Sequence, residues 1–360
     1  MQLFIFIFSL TLLFLIFTLL IYFALNNLFK FQKITPSELK LSVIVAAKNE
    51  EENIPNLISA LKQQSYDSKL FEVIIVDDNS TDNTFEAAKL STADSPEFQV
   101  IKAYDKTYDA KKGALDIGIK YSSNPYIVIT DADCLPSANW LKAMAKSFNS
   151  GNDFVFGIAP FFQTNSIINK ISSFENLRSQ IIMFALAKLG FPYSASARSF
   201  GFTKSAFEKI SGYKNTTETL SGDDDLLLRE AVKHNLKIGL CSTPNAFVYS
   251  NTKSSYAEYV KQKLRHTSTS LHYSLMNKII LGIWHLINIV LVVSALLTFI
   301  SSVFILPVFL KIMLDLFLIN SFQRNFGYRF NPFEMLFLQI IYEFQLIYFF
   351  IFARKYSTRW

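Results

Sequence analysis

Charge is scarce in this sequence: Asp, Glu, Lys and Arg supply 18% of its 360 residues, against 51% hydrophobic and 36 Phe. That deficit excludes a wholly water-soluble chain of ordinary composition. Cysteine is equally sparse. Cys134 and Cys241 stand far apart with no C-x-x-C pair, which excludes a disulfide framework and a thiolate zinc site; both read as buried free thiols in apolar surroundings in a reducing compartment. The four histidines, His234, His266, His272 and His285, form no spaced metal cluster. No Ser or Cys sits in a nucleophile motif, and no G-x-x-x-x-G-K-[ST] loop occurs, which removes covalent hydrolase and P-loop ATPase readings. The net charge of +6 contains no long basic run, so nucleic acid is not an expected partner. It suits a protein lying against anionic membrane lipids, where each nearby Lys or Arg contributes roughly 1 kcal/mol.

The apolar excess lies at the two ends. Residues 1–29 carry no charged side chain, and about 20 apolar residues suffice for a helix to cross the hydrocarbon core. A cleaved signal peptide is the alternative, but the start lacks a basic region, the apolar run is too long, and no small-residue cleavage site follows. Lys30, Lys33 and Lys40 follow this helix, so the positive-inside rule puts the next domain in the cytoplasm. A second apolar region, 277–353, allows two to three further transmembrane or re-entrant helices, with a break at Pro307. Within it Lys311 and Asp315 are four apart and share a helix face, and Glu343 is a further acid at depth. The basic tail 354–360 holds Arg354, Lys355 and Arg359 and prefers the cytoplasm, which conflicts with three full spans after a cytoplasmic domain. The expected location is the inner (cytoplasmic) membrane, multi-pass, with a cytoplasmic catalytic domain.

Between these ends, residues 40–250 have globular patterning. Leu41 to Ala47 reads as a buried strand ended by Lys48, Asn49 and Glu50, and a helix-spaced run follows it. Residues 71–76 form a second strand closed by Asp77 and Asp78, followed by a helix over 84–90. Residues 99–103 and 126–130 add strands. This β-α-β-α order predicts an α/β domain with a mostly parallel central sheet, whose ligand crevice lies beyond the carboxyl ends of the strands.

The last strand opens onto Asp131, Ala132 and Asp133. Two carboxylates one residue apart at a strand mouth suit a hard divalent cation, Mg2+ or Mn2+, that keeps coordination sites for phosphate oxygens. A lone D-x-D is usually a solvated turn; one that follows a fully apolar strand beside another acidic strand end is a site candidate. Residues 251–276 read as an amphipathic, interfacial segment in which Gln262, Arg265 and His266 gather on one side.

Six segments in order, 42–50 (SVIVAAKNE), 76–82 (VDDNSTD), 111–115 (KKGAL), 130–133 (TDAD), 221–226 (SGDDDL) and 262–265 (QKLR), resemble glycosyltransferase family 2, the inverting GT-A group that includes cellulose, chitin, hyaluronan and poly-N-acetylglucosamine synthases. The resemblance implies a GT-A domain that takes a sugar from a nucleotide-sugar donor, UDP-linked in the first instance, to a lipid-linked or glycan acceptor in envelope polysaccharide or glycolipid synthesis. Envelope-assembly proteins are candidate partners. By the same resemblance Ala46, Asn49, Glu50, Asp78, Lys111, Asp131, Gln262 and Arg265 line the donor and Asp133 binds the metal. Asp224 is the general base, and Asp223 and His266 lie near the acceptor. Asp223 and Asp225 flank Asp224 and would raise its proton affinity; the same acidic triple also suits a helix amino terminus. Two departures stand out. Processive members of the family carry Trp where His266 stands, which speaks against a processive, exporting synthase, and the Ser196–Gly201 stretch replaces a G-x-N element. A catalytically silent nucleotide-binding scaffold is the alternative of another class.

Overall fold

The computed structural model describes residues 1–30, 37–219 and 222–352. Lys33, Ser221, Arg354, Lys355 and Arg359 fall outside them. The elements run α1 (Gln2–Leu28), β1 (Leu41–Ala47), α2 (Ile54–Lys62), β2 (Phe71–Asp77), α3 (Thr84–Thr92), β3 (Phe98–Lys102), α4 (Ala110–Tyr121), β4 (Tyr126–Asp131), β5 (Cys134–Pro136) and α5 (Trp140–Asn149). They continue with β6 (Phe154–Gly157), α6 (Ile167–Lys188), β7 (Phe200–Thr203), α7 (Lys204–Lys209), α8 (Asp225–Lys233), β8 (Ile238–Cys241), β9 (Val248–Ser250), α9 (Tyr256–Thr269), α10 (Leu275–Val293), α11 (Ile305–Phe322) and α12 (Pro332–Phe352). Two compact units result. Residues 37–162 and 192–251 hold every strand, and 1–30, 163–191 and 252–352 are helical.

In the first unit seven strands form one sheet in the order β3-β2-β1-β4-β7-β6-β8. Strands β3, β2, β1 and β4 are parallel, β7 runs antiparallel to both neighbours, and β8 is parallel to β6. The apolar runs read from the sequence are the buried centres of these strands: Val43, Ile44, Val45, Val73, Ile75 and Val128 are without solvent exposure. Burial on both faces explains why they read as continuous apolar runs. Helix α4 packs close against this layer at Gly118, where an added Cβ would lie 2.5 Å from Ile44 Cγ2. The register sets Ala46 beside both Val76 and Asp131, and Ala47 beside Asp77. Two acidic strand ends therefore stand next to each other at the carboxyl edge.

Among the described residues, the helical unit contains three helical stretches long and apolar enough to cross a membrane: Gln2–Leu28, Leu275–Phe299 and Ser302–Phe322. The break between the last two falls at 3-10 turns over Ser294–Phe299 and Ser302–Phe304, ahead of Pro307. That proline sits inside the first turn of α11, where a missing N–H leaves no helical bond unmade. Helix α6, which the sequence places within the globular stretch, clusters with the helices, because it carries Arg178 into their interior. Arg178 donates to Asp315 at 2.7 Å, Lys311 to Asp315 at 2.7 Å and also to Glu343, and Gln339 reaches Asp315 at 3.0 Å and Glu343 at 2.6 Å. Arg178, Lys311 and Asp315 are 3%, 0% and 0% exposed, so two cations and two anions neutralise each other away from solvent. The Lys311–Asp315 pair was legible from its spacing; Arg178 was not.

Candidate active site

The crevice is assembled from the ends of β1, β2 and β4, the first turn of α4, and the loop leading into α8. The loops after β1 and β2 bind each other. Asn49 N–H donates to Ser80 Oγ at 3.0 Å, Thr81 N–H to Asn49 Oδ1 at 2.8 Å, and Glu50 N–H to Thr84 Oγ1 at 2.7 Å. Asn49 and Asn79 adopt left-handed backbone, with φ of 56 and 55. Asn is among the few non-glycine residues that adopt this conformation readily. The Glu50 carboxylate accepts from Asn53 Nδ2 at 2.7 Å, so it braces its own loop.

Asp78 is 4% exposed, and its carboxylate accepts from Lys106 at 2.5 Å. Lys106 was missed in the sequence because a single lysine in a polar loop carries no pattern. Lys111 lies in the first turn of α4. Its ammonium bridges Asp131 at 2.6 Å and Asp223 at 2.7 Å. Burial disfavours its charge, but the two carboxylates outweigh burial and hold its pKa well above the ordinary value. Burial likewise opposes ionisation of Asp223, yet the Lys111 ammonium keeps that carboxyl below its usual range.

The next residue behaves oppositely. Asp224 caps α8, accepting from Asp225 N–H at 2.7 Å, and its other oxygen accepts from Ala197 N–H at 2.7 Å. Burial first, then the charges of Asp225 and Asp223, hold its pKa well above an ordinary carboxyl. Asp225 is turned elsewhere, accepting from Ser194 Oγ at 2.8 Å and Ala195 N–H at 3.0 Å. The acidic triple therefore caps the helix, and Gly222, at φ 76, supplies the left-handed residue that turns the chain into it. Lys112, the second residue unforeseen from sequence, is 2% exposed and donates to the carbonyls of Thr216 and, at 2.8 Å, Thr219. It ties the loop before the triple to α4.

Asp131, Asp133 and Cys134 offer ligand atoms all within 4.8 Å of one another. Two half-buried carboxylates are a donor set suited to Mg2+ or Mn2+. Cys134 is a buried free thiol packed in the apolar core, as expected, and it also borders charge. Its thiol contacts Asp133 at 3.6 Å, and burial together with Asp131 and Asp133 raises its pKa far above the ordinary thiol range. A thiol sulfur is a soft donor, whereas Mg2+ and Mn2+ favour oxygen, so the two carboxylates are the better fit to such an ion. Cys241 is a buried free thiol raised to about 12 by burial.

Gln262, Arg265 and His266 lie on α9 in the helical unit. A capping box formed by Ser255 and Glu258 starts this helix, Lys263 pairs with Glu175 of α6, and Tyr259 packs on Phe349 of α12. Gln262 and Arg265 are half-buried and His266 is exposed.

Residues 42–210 match the model of the family described as Glycosyl transferase family 2. Glycosyltransferase AglE of Haloferax volcanii is 32% identical over 143 residues, 38% of this chain and 46% of AglE, so the chain matches about half the length of that relative. A Methanococcus voltae enzyme, named as a dolichyl N-acetyl-alpha-D-glucosaminyl phosphate diacetamido-dideoxy-glucuronosyltransferase, is 25% identical over 238 residues, 63% of this chain and 71% of that enzyme. Among solved structures, a Pyrobaculum calidifontis mannosyltransferase in complex with GDP-Man and Mn2+ is similar with a TM-score of 0.62 over 97% of both chains, at 16% identity. That likeness concerns the fold, which is GT-A. The segment 42–210, with its strand ends and its D-x-D, matches glycosyl transferase family 2.

Proposed function

We propose that this protein is a membrane-embedded inverting glycosyltransferase that moves a sugar from a nucleotide-sugar donor, UDP-linked by preference, to a lipid-linked acceptor. Asp131 and Asp133 would hold Mg2+ or Mn2+, whose role is to neutralise the diphosphate as it leaves. Lys111 adds a cation to the same end. Asp78, with Ala46, Asn49 and Glu50 around it, forms the lip that takes the nucleotide. Asp224 removes the proton from the acceptor hydroxyl; the oxygen bonds to the anomeric carbon as the bond to the diphosphate breaks, and the configuration inverts.

The observation that carries this reading is Asp224: a carboxylate held by two backbone N–H groups, with raised proton affinity, beside an Asp223 that one ammonium links to the D-x-D. A silent scaffold has no need of that arrangement. The Methanococcus relative, named for a dolichyl-linked substrate, and the apolar helices support a lipid acceptor and a membrane location; the lysines that follow the first helix in sequence support a catalytic domain in the cytoplasm. The test is release of nucleoside diphosphate from UDP-glucose, UDP-N-acetylglucosamine and GDP-mannose by purified protein in detergent, followed by the anomeric configuration of the product. Turnover of one donor with inversion is expected. No turnover of any donor, or retention of configuration, would reject the assignment.

A further inference from the structure

Arg198 occupies the stretch where the sequence departs from the G-x-N element, and its surroundings give it a task. The peptide around it joins the two halves of the chemistry. Ala197 N–H holds Asp224 at 2.7 Å, while the Arg198 carbonyl accepts from Thr130 Oγ1, the residue before Asp131, at 2.8 Å. The side chain is half-buried. Its guanidinium stacks on Phe161 at 4.6 Å from the ring centre and donates to Ser250 Oγ at 2.7 Å and the Pro160 carbonyl at 3.4 Å. Ser250 is in turn the register partner of Cys134 on β5, the residue after Asp133. A planar cation is thus fixed beside the D-x-D, on the peptide that holds the base.

Asp131, Asp133, Asp223, Asp224 and Asp225 make this region acidic. Lys111 is committed to Asp131 and Asp223 and belongs with the donor diphosphate. Arg198 instead follows the residue that binds Asp224, the group facing the acceptor hydroxyl. A guanidinium presents a rigid fork of donors that matches phosphate oxygens in pairs, and an uncharged sugar has no comparable use for it. We propose that Arg198 binds a phosphate group carried by the acceptor, next to the hydroxyl that Asp224 deprotonates. This rests on the transferase reading above and narrows its acceptor to a phosphate ester; a polyprenyl phosphate linkage is the form that suits a membrane enzyme.

The full-length protein in detergent would be titrated by calorimetry with farnesyl phosphate, farnesol and inorganic phosphate. Farnesyl phosphate is expected to bind at least about tenfold more tightly than farnesol, as one charge-assisted, forked contact warrants. Arg198→Gln should abolish that preference while leaving farnesol affinity as it was, and Arg198→Lys, which keeps the charge but not the fork, should fall between. Inorganic phosphate binding as tightly as farnesyl phosphate would place the phosphate on a water-soluble acceptor; much weaker binding would place it on a lipid. Equal affinity of the wild type for farnesyl phosphate and farnesol, or a preference that survives Arg198→Gln, would overturn the proposal. The wild-type comparison stands even if a variant fails to fold. Nucleoside diphosphate release by the wild type, measured separately, reports on the transferase reading alone.

Discussion

Replacing Asp224 by Asn is the perturbation with the sharpest expected outcome. The side chain keeps its shape but loses its charge and its ability to take a proton. One of its two backbone contacts, to Ala197 N–H or Asp225 N–H, must then face an amide NH2 group that cannot accept. General-base catalysis is worth roughly 10²- to 10⁴-fold, or about 3 to 5 kcal/mol of barrier; loss of one charge-assisted hydrogen bond costs about 1.5 to 3 kcal/mol of stability. Removal of the buried, mutually repelling charge offsets part of that loss. In a steady-state assay of nucleoside diphosphate release with acceptor present, kcat should drop by two to four decades, roughly the range for a lost base, with the donor KM little changed. The wild-type pH profile supplies a second reading. The pKa of Asp224 is raised, so its base form is lost as pH falls through a value above the ordinary carboxyl range, and the acid limb of kcat should lie there. The linkage to stability has the opposite sign: the folded state holds this proton more tightly than the unfolded state. The contribution of Asp224 is therefore greatest at acid pH and is lost as pH rises through its raised pKa. A variant keeping more than about a third of wild-type kcat, well outside the loss expected for a base, would refute the role, as would an acid limb in the ordinary carboxyl range.

Lys111→Met removes the cation between Asp131 and Asp223 and leaves two partly buried carboxylates facing each other. Donor KM should rise by roughly tenfold or more, the scale of one lost charge-assisted contact, read in the same release assay across donor concentration. In the helical unit, Lys311→Met strands Glu343 without its cation partner, and breaking one side of a buried pair costs about 3 to 5 kcal/mol. The melting temperature in detergent should fall accordingly, and adding Glu343→Gln should restore part of it. A double variant as unstable as the sum of its single changes would show that the two side chains do not act as a pair.

What the sequence disclosed and what it hid follow from the range of the interactions. Strands β1, β2 and β4 are local apolar runs with an acidic end, so both their existence and the facing of Asp78, Asp131 and Asp133 toward one crevice could be read from residues within a few positions of each other. Lys111 and Asp224 came only through the resemblance to a family, because the bond from Lys111 to Asp223 joins residues far apart in the chain. Lys106, Lys112 and Arg198 gave no signal: each is a single basic residue in a loop or first turn, and its partner, Asp78, the Thr216 carbonyl or Ser250, lies 28 to 104 positions away. Arg178 was hidden for the same reason. The break before α11 was read at Pro307, the local helix breaker, whereas proline is tolerated in a first turn and the chain turns earlier, at Ser294–Phe304.

The central claim, a divalent cation held by the D-x-D to receive a nucleotide diphosphate, is tested most directly by donor binding rather than turnover. Calorimetric titration of the purified protein with UDP, and with GDP in parallel, would be run with Mn2+, with Mg2+, with chelator, and again on Asp133→Asn. Nucleotide binding that requires the cation and is lost in Asp133→Asn is the expected result. Binding of equal affinity with chelator present, or unchanged by Asp133→Asn, would contradict the account.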